Sequence, residues 1–353
     1  MSRFGDFLKK KDIVISGRRY AVDAMSAMAQ GLFCSLLIGT IIKTAGEQAH
    51  IDFLVEAGKT ASSMAGPAMA AAIGYALHAP TLVLYSLLAV GAAANSFGGS
   101  GGPLAVYVIA ILAAEIGKLV SKETRVDLIV TPLVTVLTGV GLSALIAPGI
   151  GAAAKGFGEL IRQATVLQPF LMGIAVSVLM GIALTLPISS AAICMAFGIT
   201  GLAGGAAVAG CCAQMVGFAV MSFRENGWGG LLSQGIGTSM LQMSNILKNP
   251  KIWIPPILAS AITGPLATCV FRMEMNGPAV ASGMGTCGFV GQIGLYTGWC
   301  DEIAAGTRTA ITASDWIGMA LICFVLPAVL TWCFGLLLRK LGWIKDGDLT
   351  LGA

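Results

Sequence analysis

Charged residues are scarce in this 353-residue chain. Asp, Glu, Lys and Arg make up 11% of it and apolar residues 56%, whereas soluble domains carry about 25% charged residues. No Asp, Glu, Lys, Arg or His occurs in the 61 residues 163–223, a length that crosses a bilayer about three times as helix. The scarcity excludes an ordinary soluble domain of this size and predicts a polytopic membrane protein in contact with lipid.

Histidine is nearly absent too, which limits the chemistry open to the chain. Only His50 and His78 occur, and the nine cysteines form no C-x-x-C pair, so no metal site, cofactor or catalytic residue is predicted. Most cysteines lie in apolar runs, and we expect them to be small buried side chains. The net charge of +4 is scattered along the chain, which excludes a clustered nucleic-acid surface.

Apolar segments predict an all-α fold with about ten transmembrane helices. Three spans fit inside 163–223, broken at Pro187 and near Gly204 and Gly205, and the others lie at 21–42, 60–77, 81–97, 103–120, 128–147, 252–271 and 316–338. Basic residues mark cytoplasmic loops, so clusters at 9–19, 118–125, 224–251 and 339–345 predict that both termini are cytoplasmic. Lys155 and Arg162 are exceptions to this rule, because the predicted topology places them outside. The basic segment 1–20 is either a short helix on the membrane surface or an unordered tail.

Two segments, 229–247 and 273–298, are rich in Gly, Ser and Thr yet too apolar and too long for loops. Broken backbone at membrane depth is tolerated only where protein or a water-filled cavity satisfies its amides, so we interpret both as re-entrant hairpins. Their glycines, Gly235 and Gly237 in G-I-G-T and Gly283 and Gly285 in G-M-G-T, stand 48 residues apart. Such paired, interrupted segments indicate a transporter's substrate site, although glycine-rich strings also match by chance.

Glu274 and Asn276, at the start of the second hairpin, are the leading candidates for substrate binding. A carboxylate accepts hydrogen bonds from polyol hydroxyls, and an amide both donates and accepts them. The alternative is that Glu274 pairs with Arg272 or Arg224 at the membrane boundary. Glu225 and Asn226 repeat the pattern at the first hairpin, where an interfacial turn is the favoured interpretation.

Several amides lie in predicted membrane segments without charged neighbours. Each one alone typically joins helices, but five in one half of the chain favour a polar cavity, and of these Gln214 and Gln292 are candidate substrate ligands. The other three are Gln234, Gln242 and Asn245. Glu115 and Lys118 have i, i+3 spacing, which predicts an interfacial ion pair.

Motifs between residues 188 and 298 resemble a known family. They are I-S-S-A-A-I-C (188–194), G-C-C-A-Q-M-V-G-F (210–218), F-R-E-N-G (223–227), Q-G-I-G-T-S-M-L-Q (234–242), K-N-P-K-I-W-I-P-P (248–256) and G-M-G-T-C-G-F-V-G-Q-I-G (283–294). They are similar to the enzyme IIC-like membrane proteins of the phosphotransferase system, in the PfoR-type branch.

The resemblance implies a homodimer in the bacterial inner membrane. It implies a cytoplasmic segment 1–20, a dimerising half 21–155, a transporting half 156–340 with the two hairpins, and a cytoplasmic tail 341–353. In related sugar permeases a hairpin glutamate contacts the sugar, and Glu274 is the matching position. A histidine often accompanies that glutamate, yet none occurs after His78. We expect no fused IIA or IIB domain, so any phosphoryl donor is expected to be a separate protein.

Two functions remain open at this stage. The first is a permease for a small polar solute, a sugar or sugar-like molecule, with binding groups at Glu274, Asn276 and the nearby amides. The alternative is a membrane-embedded sensor or regulator that binds a solute without moving it. An enzyme acting on lipid lacks a catalytic constellation.

Overall fold

The computed structural model describes residues 3–351, and this part of the chain is helical without a β-strand, which confirms the all-α prediction. The helices are α1 (Arg3–Lys10), α2 (Arg18–Ala49), α3 (Asp52–Ser63), α4 (Ala65–Ala76), α5 (Thr81–Gly98), α6 (Gly102–Val120), α7 (Asp127–Ala164), α8 (Pro169–Thr185), α9 (Ser190–Phe197), α10 (Gly201–Met221), α11 (Phe223–Leu232), α12 (Met243–Lys248), α13 (Pro250–Val270), α14 (Ala279–Ser282), α15 (Val290–Ala304) and α16 (Ala313–Lys340).

Six stretches of the described chain are long and apolar enough to cross a membrane, so this is a multi-pass membrane protein. They are α2, the bent pair α5–α6 (Thr81–Val120), α7, α10, α13 and α16. Large apolar side chains stand on the surface, as in α7, where Leu128, Ile129, Leu137 and Leu145 are exposed; such an apolar surface suits hydrocarbon rather than water. The finer count of ten spans and the two re-entrant hairpins stay predictions.

The described helices pack into two compact units, Met1–Ala154 and Lys155–Ala353. In the first unit, glycines let neighbouring helices approach closely. A Cβ on Gly58 of α3 would lie 2.5 Å from the carbonyl oxygen of Gly39 in α2, and one on Gly66 of α4 would lie 2.4 Å from that of Gly91 in α5. Small residues at helix contacts are typical of membrane proteins, where close packing replaces the hydrophobic drive.

Polar contacts of the first unit collect around the segment after α1. The sequence left open whether the N-terminal residues form a short helix or an unordered tail. In the structure they form a helix, α1. The predicted Glu115–Lys118 ion pair is confirmed at 3.2 Å, and the Lys118 side chain is almost fully buried. Its Nζ also donates to the Asp12 carbonyl oxygen at 3.2 Å, so the pair holds the N-terminal segment as well as α6.

In the second unit, α8, α10 and α13 pack closely through small residues. A Cβ on Gly210 of α10 would lie 1.8 Å from the Ser177 carbonyl oxygen of α8, and one on Gly264 of α13 would lie 2.0 Å from that of Gly173, also in α8. Helix α16 packs against both α10 and α13. This bundle is the scaffold on which the shorter, broken segments lie.

Two breaks were predicted in the uncharged stretch, and the sequence placed one of them correctly. Pro187 lies between α8 and α9, as expected. The second break was placed wrongly at Gly204 and Gly205, which lie inside α10; the chain turns at 198–200 instead, and Gly198 has φ +61°. Glycine occurs at these two positions because another backbone segment crosses α10 there. The two glycines do not mark a turn.

Burial of the cysteines also differs in part from expectation. Cys194, Cys211, Cys212 and Cys323 are buried as predicted, whereas Cys34, Cys269 and Cys333 are exposed. These three lie on membrane-crossing stretches, where an apolar side chain is stable on the outer surface as well as in the core. Hydropathy alone does not distinguish the two positions.

Candidate functional site

Polar side chains of the second unit form three groups at different levels along α10 and α16. We name them the Glu302 cluster (Glu274, Asn276, Glu302, Arg308, Asp315), the Gln214 cluster (Thr185, Gln214, Ser239, Trp253) and the Arg339 cluster (Glu225, Asn226, Arg339, Asp346). The predicted substrate residues are divided among the three levels, with Gln292 beside α10 between the outer two.

The Glu302 cluster is one network of hydrogen bonds and ion pairs. Asn276 Nδ2 donates to Glu274 Oε2 at 3.2 Å and to Glu302 Oε1. Arg308 Nη1 lies 3.2 Å from Glu302 Oε2, and the same guanidinium pairs with Asp315. The hydrogen bond that Arg308 donates to Asp315 raises the pKa of Arg308 above its usual range, with a smaller contribution from Glu302. The Asn276 amide therefore joins the carboxylates of Glu274 and Glu302. Of these two, only Glu302 is paired with a cation in the part of the chain that the structure describes.

Glu274 and Asn276 face outward because they lie on an extended segment. Side chains alternate along residues 273–276, with Met273 and Met275 buried and the two polar residues exposed, as the period of two in extended backbone requires. Met275 pairs with Gly201 through two 2.8 Å backbone hydrogen bonds. Glu274 forms no ion pair within the described residues, so the expected alternatives, Arg272 and Arg224, are not its partners.

Gly205 of α10 makes this placement possible. A Cβ there would lie 1.6 Å from the Met273 carbonyl oxygen, so only glycine lets the extended segment lie flat on the helix. The Met273 N–H donates to the Ala267 carbonyl oxygen at 2.8 Å. The non-helical backbone is thus satisfied by protein groups, as it must be at membrane depth.

The Gln214 cluster is buried between α8, α10 and the segment after α11. Gln214 Oε1 accepts hydrogen bonds from Trp253 Nε1 at 2.9 Å and from Thr185 Oγ1 at 3.3 Å. Thr185 Oγ1 and Ser239 Oγ lie 2.8 Å apart. Gln214 is fully buried, and its Nε2 has no hydrogen-bond partner, which leaves a donor of the kind that a ligand oxygen or a water satisfies.

Three interruptions of helical structure meet beside the middle of α10. Ser190 Oγ, after the break at Pro187, donates to the Gly283 carbonyl oxygen at 2.6 Å. Thr286 Oγ1 donates to the Gly235 carbonyl oxygen. The carbonyl groups of two predicted hairpin glycines, Gly235 and Gly283, therefore accept the hydrogen bonds that join these interruptions.

Two other predicted hairpin glycines and one amide lie close by. Gly285, with φ +54°, packs on Cys211 and Cys212 of α10, while Gly237 is buried in the turn that begins at Ser233. Gln292 Nε2 donates to Cys212 Sγ at 3.3 Å, but its buried Oε1 has no partner. Gln214 of α10 and Gln292, which contacts Cys212 of the same helix, thus each retain one unsatisfied polar atom.

The Arg339 cluster lies at the other end of α16. Glu225 Oε1 accepts from Arg339 Nη2 at 2.6 Å, and Asp346 Oδ1 from Nη1 at 2.9 Å. Asp315 and Arg339 are 24 residues apart on α16, which corresponds to about 36 Å of helix. Glu225 and Asn226 therefore lie at the opposite end of α16 from Glu274 and Asn276.

Sequence reasoning missed most partners of the predicted residues. It did not connect Glu302 with Glu274, and it did not identify Thr185, Ser239, Trp253 or Arg308. A weak signal existed for Arg308, since it is the only basic residue between Arg272 and Arg339. Nothing in local sequence marks Thr185, because a threonine near a helix end is common.

The fold and these polar groups define a class, a multi-pass helical membrane protein of the permease type. The sequence model of the family described as "Phosphotransferase system, EIIC" matches residues 22–351. The chain belongs to that family, and this membership supports a membrane permease-like role. Neither the curated proteins nor the solved structures contain a match to it.

Proposed function

We propose that this chain is the translocating subunit for a small polar solute, a sugar or sugar-like molecule, and that Glu274 and Asn276 bind the solute. The observation that carries the proposal is the contact of Asn276 with both Glu274 and Glu302 on an exposed extended segment. Carboxylate oxygens accept hydrogen bonds from neighbouring hydroxyls of a polyol. Glu274 has no cation to satisfy it, so its oxygens are available to a solute.

The interior supports passage of a molecule without formal charge. Residues 163–223, 233–247 and 279–298 contain no ionisable side chain other than cysteine and tyrosine, and the free polar atoms there include Gln214 Nε2 and Gln292 Oε1. Burying an unpaired ion is costly, whereas amides satisfy hydroxyls. We propose that these two amides bind the solute after it leaves Glu274.

Orientation and assembly complete the proposal. The Glu302 cluster faces the outside of the bacterial inner membrane and the Arg339 cluster faces the cytoplasm, where a separate IIB protein, supplied by IIA, phosphorylates the solute. Residues 21–155 form a homodimer interface and residues 156–340 move as the transport domain. The family resemblance and the distribution of Lys and Arg support this arrangement.

The first test is thermal unfolding of the detergent-purified protein with sugars, sugar acids, polyols, amino acids and nucleobases. A ligand at 100 times its Kd stabilises the folded state by about 2.7 kcal/mol, so a shifted unfolding temperature identifies the solute. We expect Glu274→Gln to weaken binding of that solute about tenfold or more, since hydrogen bonds to a charged group contribute roughly 1.5–3 kcal/mol. Glu56→Gln, which changes an exposed carboxylate of the first unit, is the matched control.

Uptake into proteoliposomes then separates the two functions that the sequence left open. Uptake that depends on Glu274 supports the permease, and binding without uptake supports the sensor. If Glu274→Gln leaves the affinity unchanged, the site assignment is wrong.

A further inference from the structure

Residues 341–351, after α16, make a dense set of contacts with the region 225–249. Asn226 Nδ2 and Gln242 Nε2 both donate to the Leu349 carbonyl oxygen, at 2.8 and 2.9 Å. Asn245 Nδ2 donates to the Thr350 carbonyl oxygen at 2.9 Å. The Leu351 N–H donates back to Asn226 Oδ1 at 2.8 Å. Three side-chain amides therefore bind the backbone of this segment.

The contacts extend beyond this group. Asn249 Nδ2 donates to the Trp343 carbonyl oxygen at 3.0 Å and to Asp348 Oδ2 at 2.8 Å. Arg339 joins Glu225 and Asp346 in one ion network. Leu349 and Ile344 are buried, so two apolar side chains anchor the segment and backbone groups provide most of the polar contacts.

Most of these contacts do not depend on the side chains of residues 341–351. An amide that binds a main-chain carbonyl accepts any extended peptide of suitable shape, as in β-strand and other backbone-directed recognition. Specificity comes from the pocket that holds Leu349. The region 225–249 thus has the properties of a peptide-binding groove, with a leucine pocket and a row of amide donors.

The groove connects physically to the interior of the second unit. Gln242 Nε2 also donates to Gln234 Oε1 at 2.9 Å, and Gln234 Nε2 donates to Ser222 Oγ at 2.8 Å at the end of α10. Gln242 is three residues from Ser239, which contacts Thr185 in the Gln214 cluster. Loss of the bound segment would leave Asn226, Gln242 and Asn245 with free donors at this end of the unit.

We infer that the region 225–249 is a peptide-binding site occupied in cis by residues 343–351, and that release of this segment opens the Arg339 end of the polar interior. The bound segment takes up the amide donors that would otherwise line an entrance. It therefore acts as a displaceable gate. The gating part rests on the proposed permease function, whereas the binding part does not.

The test uses the full chain in detergent with Leu349→Asp, which places a carboxylate in the leucine pocket. We expect amide hydrogens of residues 343–351 to exchange at least tenfold faster than in the wild type, while α10 keeps its protection. Leu341→Asp is the matched control: it makes the same substitution in the same segment at an exposed leucine, and it should leave exchange unchanged.

A fluorescent peptide of residues 341–353 then probes the groove directly. Leu349→Asp protein should bind it saturably, and wild-type protein at least tenfold more weakly, because its own segment competes at high effective concentration. Adding Asn226→Asp to the Leu349→Asp protein should weaken peptide binding about tenfold, since it removes the donor to the Leu349 carbonyl. A peptide carrying Leu349→Asp should not bind.

A second variant covers the case in which Leu349→Asp does not fold. Asn226→Ala with Asn245→Ala keeps Leu349 in its pocket, and it should also accelerate exchange in residues 343–351. The inference is overturned if α10 loses protection together with the segment, or if wild-type and Leu349→Asp proteins bind the peptide equally. Neither readout requires a solute, so failure of this inference is distinguishable from failure of the permease proposal.

Discussion

Gly205 shows how a single missing side chain positions the candidate site. The Met273 carbonyl oxygen occupies the space that a Cβ at this position would fill. We predict that Gly205→Ala displaces the extended segment carrying Glu274 and lowers the free energy of unfolding by about 1–3 kcal/mol, as overpacking does. Denaturant or thermal unfolding in detergent measures the change.

Gly229→Ala is the control for this prediction. Gly229 lies in α11, and no atom is within 4 Å of the position of its Cβ, so alanine there should be neutral or stabilising by roughly 0.5–1 kcal/mol. Equal effects of the two substitutions would show that the Met273 contact does not require glycine.

At the scale of elements, Asp12 ties the segment after α1 to two helix ends. It pairs with Arg19 at the start of α2, at 2.7 Å, and contacts His78 beyond the end of α4, at 3.0 Å. The hydrogen bond from Arg19 lowers the pKa of Asp12 from its ordinary 3.8 to about 2, with His78 contributing less. A lowered pKa means that the folded arrangement favours the ionised carboxylate.

This shift predicts how the N-terminal attachment depends on pH. Its contribution is complete above about pH 4 and is lost as pH falls toward 2, because protonation breaks the pair with Arg19. Hydrogen exchange of residues 7–17, corrected for the intrinsic rate, should accelerate only below about pH 3. Asp12→Asn should exchange faster at every pH and show no such transition. Release of the wild-type segment at pH 5 would contradict the assignment.

At the scale of the whole molecule, charge predicts the orientation in the membrane. Arg339 and Lys340 end α16, whereas Glu302 is joined through Arg308 to Asp315 near its start, and basic residues stay on the cytoplasmic side. Alkaline phosphatase fused after Thr307 should therefore be active, and the same enzyme fused after Lys340 inactive. The opposite pattern would reverse the proposed direction of solute entry.

One exception to the charge rule has a local explanation. Arg162 lies on the side predicted to be outside, but it pairs with Glu159 at 2.6 Å. Of the two exceptional cations, Lys155 alone is without an acidic partner in the described chain. The balance of charge therefore still favours cytoplasmic termini.

The sequence by itself determined that the chain is a helical membrane protein and some of the places where its backbone is interrupted. Long uncharged runs leave few alternatives in hydrocarbon, because every backbone amide must be satisfied within a helix or by neighbouring protein. Pro187 and the glycines 235, 283 and 285 marked interruptions because proline and glycine disfavour an uninterrupted helix.

Only the tertiary structure decided which polar side chains meet. Glu274 and Glu302 lie 28 residues apart and share Asn276, whereas Glu225 and Asn226, although similar in local sequence, lie at the other end of α16. Gly204 and Gly205 illustrate the same limit, because local sequence does not distinguish a turn from a helix face crossed by another backbone. A buried polar atom takes whichever partner the packing of distant segments brings within hydrogen-bond distance.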